Sequence, residues 1–326
     1  MHAFRRLPPL DQRRPCALTI GNFDGVHRGH LAILTRLADE ARRRGLVSCV
    51  LTFEPHPREY FARTGRGTAP ARISTLRDKL EALKLYGVDR VNIAHFNARL
   101  AALSAEDFVR DLLVDGLQVR YLLIGDDFRF GAQRRGDFAL LRRMAGGDGD
   151  PRRAFDVEAM PTIEDDGARI SSTAIRAALA EGRLADARQL LGRAYCISGH
   201  VVHGRKLGRT LGFPTLNVRI PFDRPALSGI FAVRVHGLAR SAGEASAVPA
   251  PIDGVASLGT RPAVQTQGRP LLEVHLFDFD RNAYGEIVRV EFVRKLRDER
   301  HFDSLDALTA QIDADARQAR DVLRQP

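Results

Sequence analysis

Residues 16–30 read "CALTIGNFDGVHRGH". A short apolar and β-branched run is stopped by Gly21, so a buried strand is expected to end there. The continuation "GHLAILTRLADEARRRG" places Leu31, Leu34 and Leu37 at helical spacing and a glycine at 45, the pattern of a helix with a glycine stop. His27 and His30 then stand at the helix entrance. Three apart, they share a face if the first turn is already helical. The N–H groups of a helix start and the positive end of its dipole point the same way. Three readings follow from these residues alone. The pair forms a phosphate site whose imidazoles act as donors during a reaction, or a helix cap with solvated histidines, or part of a metal site. The metal reading needs further ligands, and no Cys or His cluster lies nearby.

The rest of the first half repeats the strand–helix alternation. "VSCVLTFEP", "VDRVNIAHF", "VRYLLIG" and "AFDVEAM" read as strands. "STLRDKLEALKLYG", "SAEDFVRDLLVDGL" and "GDFALLRRMAGG" read as helices, and "SSTAIRAALAEG" begins another. Ser104, with Asp107 three residues on, is a near capping box. Such alternation makes a mostly parallel sheet, and ligands of such sheets gather at the carboxyl ends of strands. The turns "GNFDGVHRGH", "FEPHPREYF" and "GDDFRFGAQRRGD" belong at that rim. "FARTGRGTAPARIS", rich in Gly, Arg and Ala, reads as a mobile loop.

Between about residues 180 and 198 the pattern changes. The helical stretch "LAEGRLADARQLLGRAY" leads into "CISGHVVHG", and short β patterns follow: "GIFAVRVHGL", "LLEVHLFDF" and "EIVRVEFV". The chain closes on a helical "SLDALTAQIDADARQARDVLRQ". A small antiparallel barrel with a C-terminal helix is expected. "ARSAGEASAVPAPID" reads as a flexible insert without chemistry.

Composition bounds the function. A chain of 326 residues favours two domains, divided here as 1–186 and 187–326. No apolar run is long enough to span a bilayer, and the first twenty residues hold no apolar stretch ahead of the first strand. Neither a membrane segment nor a secretory leader is expected. Cys16, Cys49 and Cys196 are odd in number and widely spaced, as free thiols of a cytoplasmic protein would be. The net charge is +10, and 46 of the 50 basic residues are arginine. The arginines are scattered and often sit beside acids, without a basic tail or an aromatic-basic ladder, so no nucleic-acid partner is expected. A basic surface still attracts anionic metabolites such as ATP.

Several separated motifs, in order, resemble the bacterial bifunctional riboflavin kinase/FAD synthetase family over nearly the whole chain. "GNFDGVHRGH" resembles its version of the H-x-G-H nucleotidyltransferase signature, "TFEPHP" and "GDDFRFG" its further site loops, and "ISSTAIR" its second phosphate motif. The resemblance implies an α/β nucleotidyltransferase domain with a Rossmann-like parallel sheet, followed by the antiparallel barrel of a riboflavin kinase. It implies that His27 and His30 bind ATP phosphates during adenylyl transfer, with Gly21, Asn22, Phe23, Asp24, Gly29 and Asp126 around the nucleotide. Ser171, Ser172, Thr173 and Arg176 would hold the departing pyrophosphate. Phe53, Pro55, His56 and Phe128 would contact flavin. Read without the family, "SSTAIR" is either a helix start whose N–H groups, hydroxyls and arginine grip phosphate, or, more often, an ordinary N-cap with a surface arginine. In the family the FMN phosphate attacks the α-phosphorus of ATP directly, so positioning and charge stabilisation suffice.

"GHVVHGRKLGRTLGFPTLNV" resembles the riboflavin kinase signature and lacks the order of a Walker A loop. Gly204, Gly208 and Gly212 allow close backbone approach to phosphates. The resemblance adds Lys206, Arg209, Phe213 and Pro214 to the ATP site. Thr215 and Asn217, two apart on an extended chain, face one way. Two neutral oxygens plus ATP phosphates suit Mg²⁺, and the family assigns them that role. The alternative is a strand with ordinary polar side chains. Glu273 stands alone among apolar residues on a strand, where burial is costly unless the carboxylate is paired or used. The resemblance makes it the general base for the ribityl hydroxyl; the alternative is a salt bridge to an arginine. His275, two residues on, reads as structural. Arg297, in "FVRKLRDERHF", is the flavin candidate of the second half. The sequence departs from the family at Ser257, Ala263 and Ala283.

The expected products are FMN and then FAD, made from riboflavin and ATP by a cytoplasmic monomer or weak homo-oligomer. A nucleotidyltransferase for another precursor would lack the second-half motif. A flavin sensor with a decayed site would lose His30, Glu273 or Thr215, and all are present. An RNA-binding protein would show a salt-dependent shift without turnover.

Overall fold

The apolar runs of the first half become neighbouring strands of one all-parallel sheet. In this computed structural model, which describes residues 1–161, 164–165, 168–204, 212–239, 249–260 and 270–325, the strands are β1 (His2–Phe4), β2 (Cys16–Ile20), β3 (Val47–Glu54), β4 (Arg90–His95), β5 (Val119–Gly125) and β6 (Asp156–Met160), and a separate two-stranded ribbon follows, β7 (Glu164–Asp165) with β8 (Ala168–Arg169). The order in the sheet is β1-β4-β3-β2-β5-β6. β2 is buried at all five positions because both faces of the sheet are covered. Leu18, Ile20, Leu51 and Leu122 face one apolar cluster with Phe108 and Leu113. Ala17, Tyr121 and Leu123 face another beneath Leu37 and Ala41 of helix α1 (Arg28–Arg44). That helix ends at Gly45 with φ 65°, the left-handed stop expected of a glycine there.

Ser104 Oγ accepts the Asp107 N–H at 3.0 Å, as its capping pattern implies. The helix it opens runs on as a nine-residue π segment, Phe108–Gly116. β1 was not legible: three half-polar residues carry no periodic signal, and pairing with β4 alone makes them a strand. The stretch read as a mobile loop is corrected at its two ends, while 64–71 form no helix or strand. Phe61–Arg63 end helix α2 (Pro57–Arg63). Arg72 donates its N–H to the Arg224 carbonyl at 2.6 Å and accepts from the Ala226 N–H at 3.0 Å, and Ile73 is buried. Non-local backbone pairing overrides a loop-like composition.

Cys16 and Cys49 are fully buried free thiols between these strands. Burial pushes the Cys49 thiol up, but hydrogen bonding with Cys16 and the adjoining Arg90 charge outweigh it and bring the group down. The Cys16 thiol is held high by its bond to Cys49 and by burial. Arg90 Nε and Asn92 Nδ2 lie 3.4 and 3.3 Å from Cys49 Sγ. Both thiols are therefore expected to resist a thiol-disulfide reagent in the native protein and to react only as the sheet opens in denaturant, which a colourimetric thiol count checks.

Two compact units are formed, Met1–Pro70 with Lys79–Ile170, and Ala71–Asp78 with Ser171–Pro326. The packing division falls after Ile170. Helices α7 (Ser172–Ala180) and α8 (Leu184–Leu191) place Ile175, Leu179, Leu184 and Leu191 in the apolar cluster of the second unit.

That unit is a closed antiparallel barrel, β10-β13-β12-β11-β14-β9, made of β9 (Cys196–Val202), β10 (Leu216–Val218), β11 (Gly229–His236), β12 (Ile252–Thr260), β13 (Pro270–Leu276) and β14 (Ile287–Arg297). β13 alternates strictly: Leu272, Val274 and Leu276 fill the interior, while Glu273 and His275 point outward. The C-terminal helix (Leu305–Arg324), capped by Ser304, lies on the outer face. It packs Ala316, Ala319, Val322 and Leu323 on Ala232, Val255 and Phe277. Arg297 and the buried Asp315 pin it by a bidentate pair at 2.7–3.1 Å, with Gln311 also donating to Asp315. Asp315→Ala leaves the guanidinium without this partner and is expected to cost about 2 kcal/mol, read as a lowered denaturation midpoint.

Candidate active sites

In the first unit the sheet order reverses at β2: β3, β4 and β1 lie on one side, β5 and β6 on the other. The carboxyl ends of β2, β3 and β5 therefore meet at a topological switch point, where open α/β sheets bind ligands. The three loops nominated by sequence leave those ends. Gly21–Val26 follows β2, with Phe23 and Val26 at φ 48° and 41°, a conformation costly for side chains with a Cβ. Phe23, Asp24, Val26 and His27 are buried, so the loop is held by its surroundings.

His27 is the N-cap of α1. Its Nδ1 accepts the His30 N–H at 3.3 Å, and His30 Nδ1 accepts the His27 N–H at 3.2 Å. The rings stack at 3.7 Å, with Phe23 against His30 at 4.8 Å. Each Nδ1 is an acceptor, so each neutral ring carries its proton on Nε2. The capping reading and the phosphate reading are thereby compatible: the cap fixes the tautomer, and the tautomer provides two N–H donors. Gly29 is needed here because a Cβ would meet the His27 ring and the Ile170 carbonyl at 3.2 Å.

After β3, His56 repeats the device. Its Nδ1 accepts the Arg58 N–H at 3.1 Å, and Glu59 accepts the His56 N–H, also at 3.1 Å, to open α2. Pro55 precedes it in this turn. Phe53 meets Phe96 edge-on at 5.9 Å, and Tyr60 and Phe61 complete that aromatic group. After β5, Asp126 donates its N–H to Met160 and Phe128 stacks on Phe130 at 5.4 Å. Tyr60, Phe61 and Phe96 escaped the sequence reading because their neighbourhood arises from separate strand ends.

In the second unit, Ser171 Oγ accepts the Ala174 N–H at 3.2 Å and caps α7, with Ser172 and Thr173 in its first turn. Arg176 donates to the Ala71 carbonyl at 2.7 Å.

A cavity of about 430 Å³ lies between the outer face of the barrel and the C-terminal helix. Thr215, Glu273, His275 and Arg297 line it. Glu273 is half-buried and outward, which corrects the reading of a carboxylate set among apolar neighbours: its neighbours in sequence face the other way. Across the ladder, Glu273 pairs with Asn217 on one side and Ser257 on the other, so the three side chains form one row. Gly204 abuts that row, since a Cβ there would run into the Asn217 amide. Gly212 and Phe213-Pro214 lead into β10, and Phe213 also lines the cavity. Ala283, one of the departures from the family, is buried in the barrel cluster. Lys206, Gly208, Arg209, Ala263 and most of the Ala-rich insert lie outside the described residues.

Leu308, Ile312 and Asp315 of the C-terminal helix and Phe302 before it complete the wall. Their signal was the i, i+4, i+7 spacing of the helical three, readable as one face but not as a face over a cavity. Arg297 and Arg300 lie over the Phe302 ring at 5.7 and 4.7 Å. Among the described residues, no helix is long and apolar enough to cross a membrane, and no group of three or more His, Cys, Asp or Glu is placed to hold a metal.

Comparison with known proteins assigns each half. The FAD synthetase family profile matches residues 10–174, and the riboflavin kinase profile matches residues 191–323. The chain is thus a two-domain transferase of nucleotidyl and phosphoryl groups. It is 48% identical to the bifunctional riboflavin kinase/FMN adenylyltransferase of Escherichia coli over 94% of this chain and 92% of that one. Against the Pseudomonas fluorescens protein of the same name identity is 47%, over 95% and 93%. The chain belongs to the bifunctional riboflavin kinase/FMN adenylyltransferase family. A crystal structure described as a macrolide-efflux protein from Streptococcus pneumoniae shares the architecture over 98% of both chains, with a TM-score of 0.72 and 27% identity.

Proposed function

We propose that the second unit phosphorylates riboflavin with ATP, and that the first joins the resulting FMN to AMP, releasing pyrophosphate. The observation that carries the reading is the placement of Glu273 and Thr215 in one cavity large enough for an organic substrate. Glu273 accepts the proton of the ribityl hydroxyl as its oxygen attacks the γ-phosphorus. Thr215 and Asn217 offer neutral oxygens, hard donors that fit Mg²⁺, and Mg²⁺ keeps few protein ligands when phosphates supply the rest. When bound, the ion would neutralise phosphate charge. Gly204, Gly212, Phe213 and Pro214, with Lys206, Gly208 and Arg209, are assigned to the ATP of this site.

In the first unit the Nε2–H groups of His27 and His30 hydrogen-bond ATP phosphate oxygens as charge develops. Gly21, Asn22, Phe23, Asp24, Gly29 and Asp126 surround the nucleotide, and Phe53, Pro55, His56 and Phe128 the flavin. Ser171, Ser172, Thr173 and Arg176 are assigned to the leaving pyrophosphate, for which a helix start and a guanidinium offer N–H donors and charge-assisted bonds. Arg297, held by Asp315, presents its guanidinium to the flavin of the kinase cavity. We assign the functional boundary to 186/187, a cytoplasmic site of action, and a monomer or weak homo-oligomer.

The test is incubation of the pure protein with riboflavin, ATP and Mg²⁺, with flavins resolved by chromatography over time. FMN rising first and FAD following supports both assignments. Unchanged riboflavin overturns the kinase reading, and unchanged supplied FMN overturns the adenylyltransferase reading.

A further inference from the structure

β10 is only three residues long, and its ladder with β13 ends at the Leu216–Val274 pair. Thr215 therefore lies one residue beyond the strand pairing that places Asn217 opposite Glu273. Pro214 has no N–H with which to extend the ladder. Another bond occupies the position: His275 Nδ1 lies 2.9 Å from the Pro214 carbonyl. A carbonyl only accepts, so Nδ1 carries the proton and donates. The same ring meets Phe213 edge-on at 5.4 Å, and His275, Phe213, Thr215 and Glu273 all line the cavity. One side chain on β13 thus grips both residues that precede Thr215, two positions along from the carboxylate.

We propose that His275 is a positioning residue of the phosphoryl-transfer site: its Nδ1–H bond to Pro214 replaces the missing ladder bond and seats Thr215 beside Glu273. The proposal rests on the kinase reading of this cavity. It departs from the purely structural role that the sequence suggests for His275, because it predicts an effect on turnover that exceeds any effect on folding. A seat misplaced by about an ångström costs up to about 100-fold in rate.

The experiment compares His275→Ala, His275→Asn and His275→Gln in the full chain, with Glu273→Gln as the control on the reading. Asn places an amide N–H near the position of Nδ1, whereas Gln places it near Nε2. Expected results are a 10- to 100-fold fall in kcat for FMN formation in the Ala and Gln variants, with KM for riboflavin within about 3-fold and recovery in the Asn variant to within about 5-fold of the wild type. FAD formation from supplied FMN stays unchanged in all of them, and an unchanged thermal unfolding transition reports an intact barrel. If Glu273→Gln stops FMN formation while His275→Ala stays within 2-fold of wild type, the positioning role is overturned and the kinase reading stands. If the Asn variant is as slow as Ala, the ring rather than the hydrogen bond matters, and the proposal also falls. If Glu273→Gln leaves FMN formation intact, Glu273 is not the base and this cavity is not shown to be the phosphoryl-transfer site, so the proposal falls while the kinase activity stands.

Discussion

Glu273→Gln is expected to slow FMN formation about 1,000-fold, within the range that a positioned base supplies, while FAD still forms from supplied FMN at the wild-type rate. The substitution keeps the size of the side chain and removes its basicity. Glu273 faces outward from the barrel and lines the cavity, so the interior packing of Leu272 and Val274 is untouched. A carboxylate that served only a salt bridge would behave differently: the variant would melt earlier and keep its kcat. Measuring the melting temperature and both activities on one preparation separates the two. An unchanged kcat for FMN formation would sink the general-base assignment.

His27→Asn is expected to slow adenylyl transfer from ATP to FMN about 100-fold, the typical loss when one preorganised donor to a developing charge is removed. The choice of asparagine follows from the cap. His27 Nδ1 accepts the His30 N–H at 3.3 Å, and an asparagine oxygen serves that N-cap role well. The variant therefore retains the helix start and loses the Nε2–H. If the histidine only caps, FAD synthesis continues at close to its normal rate. His27→Ala removes both functions and is expected to lower stability by about 1 kcal/mol as well. Kinase activity, carried by the other unit, is expected to be unchanged, and the thermal unfolding transition reports whether the first unit remains folded.

These two sites were legible to different depths. Glu273 could be singled out because a charged residue interrupts an apolar run, yet the run misled about its burial. Strand alternation, visible only once β13 is placed in a closed barrel, turns the carboxylate outward to a cavity whose far wall is the C-terminal helix. The histidine pair could be read from its position after a strand and a glycine turn. A helix cap was among its readings, but the reciprocal form, each Nδ1 accepting the other residue's N–H, depends on ring geometry that spacing does not show. The same holds for His56, which caps α2 with Glu59. Both caps depend on side-chain geometry in loops that buried surroundings hold in place, and Phe23 and Val26 adopt backbone angles no propensity would choose.

By itself the sequence determined the alternation of strand and helix in the first half, the change to β patterns in the second, and the order of motifs that resemble the family. Those are local properties: period, turn chemistry and spacing act over a few residues. The tertiary structure alone decided the rest. It made β1 a strand by pairing it with β4, and it drew Ile73 and its neighbours into the second unit's core. It assembled a cavity from Thr215, Glu273 and Asp315, far apart in the chain. The physical reason is that burial and non-local backbone pairing are settled by what lies across the fold, and they outweigh the weak preferences of three-residue segments and polar loops.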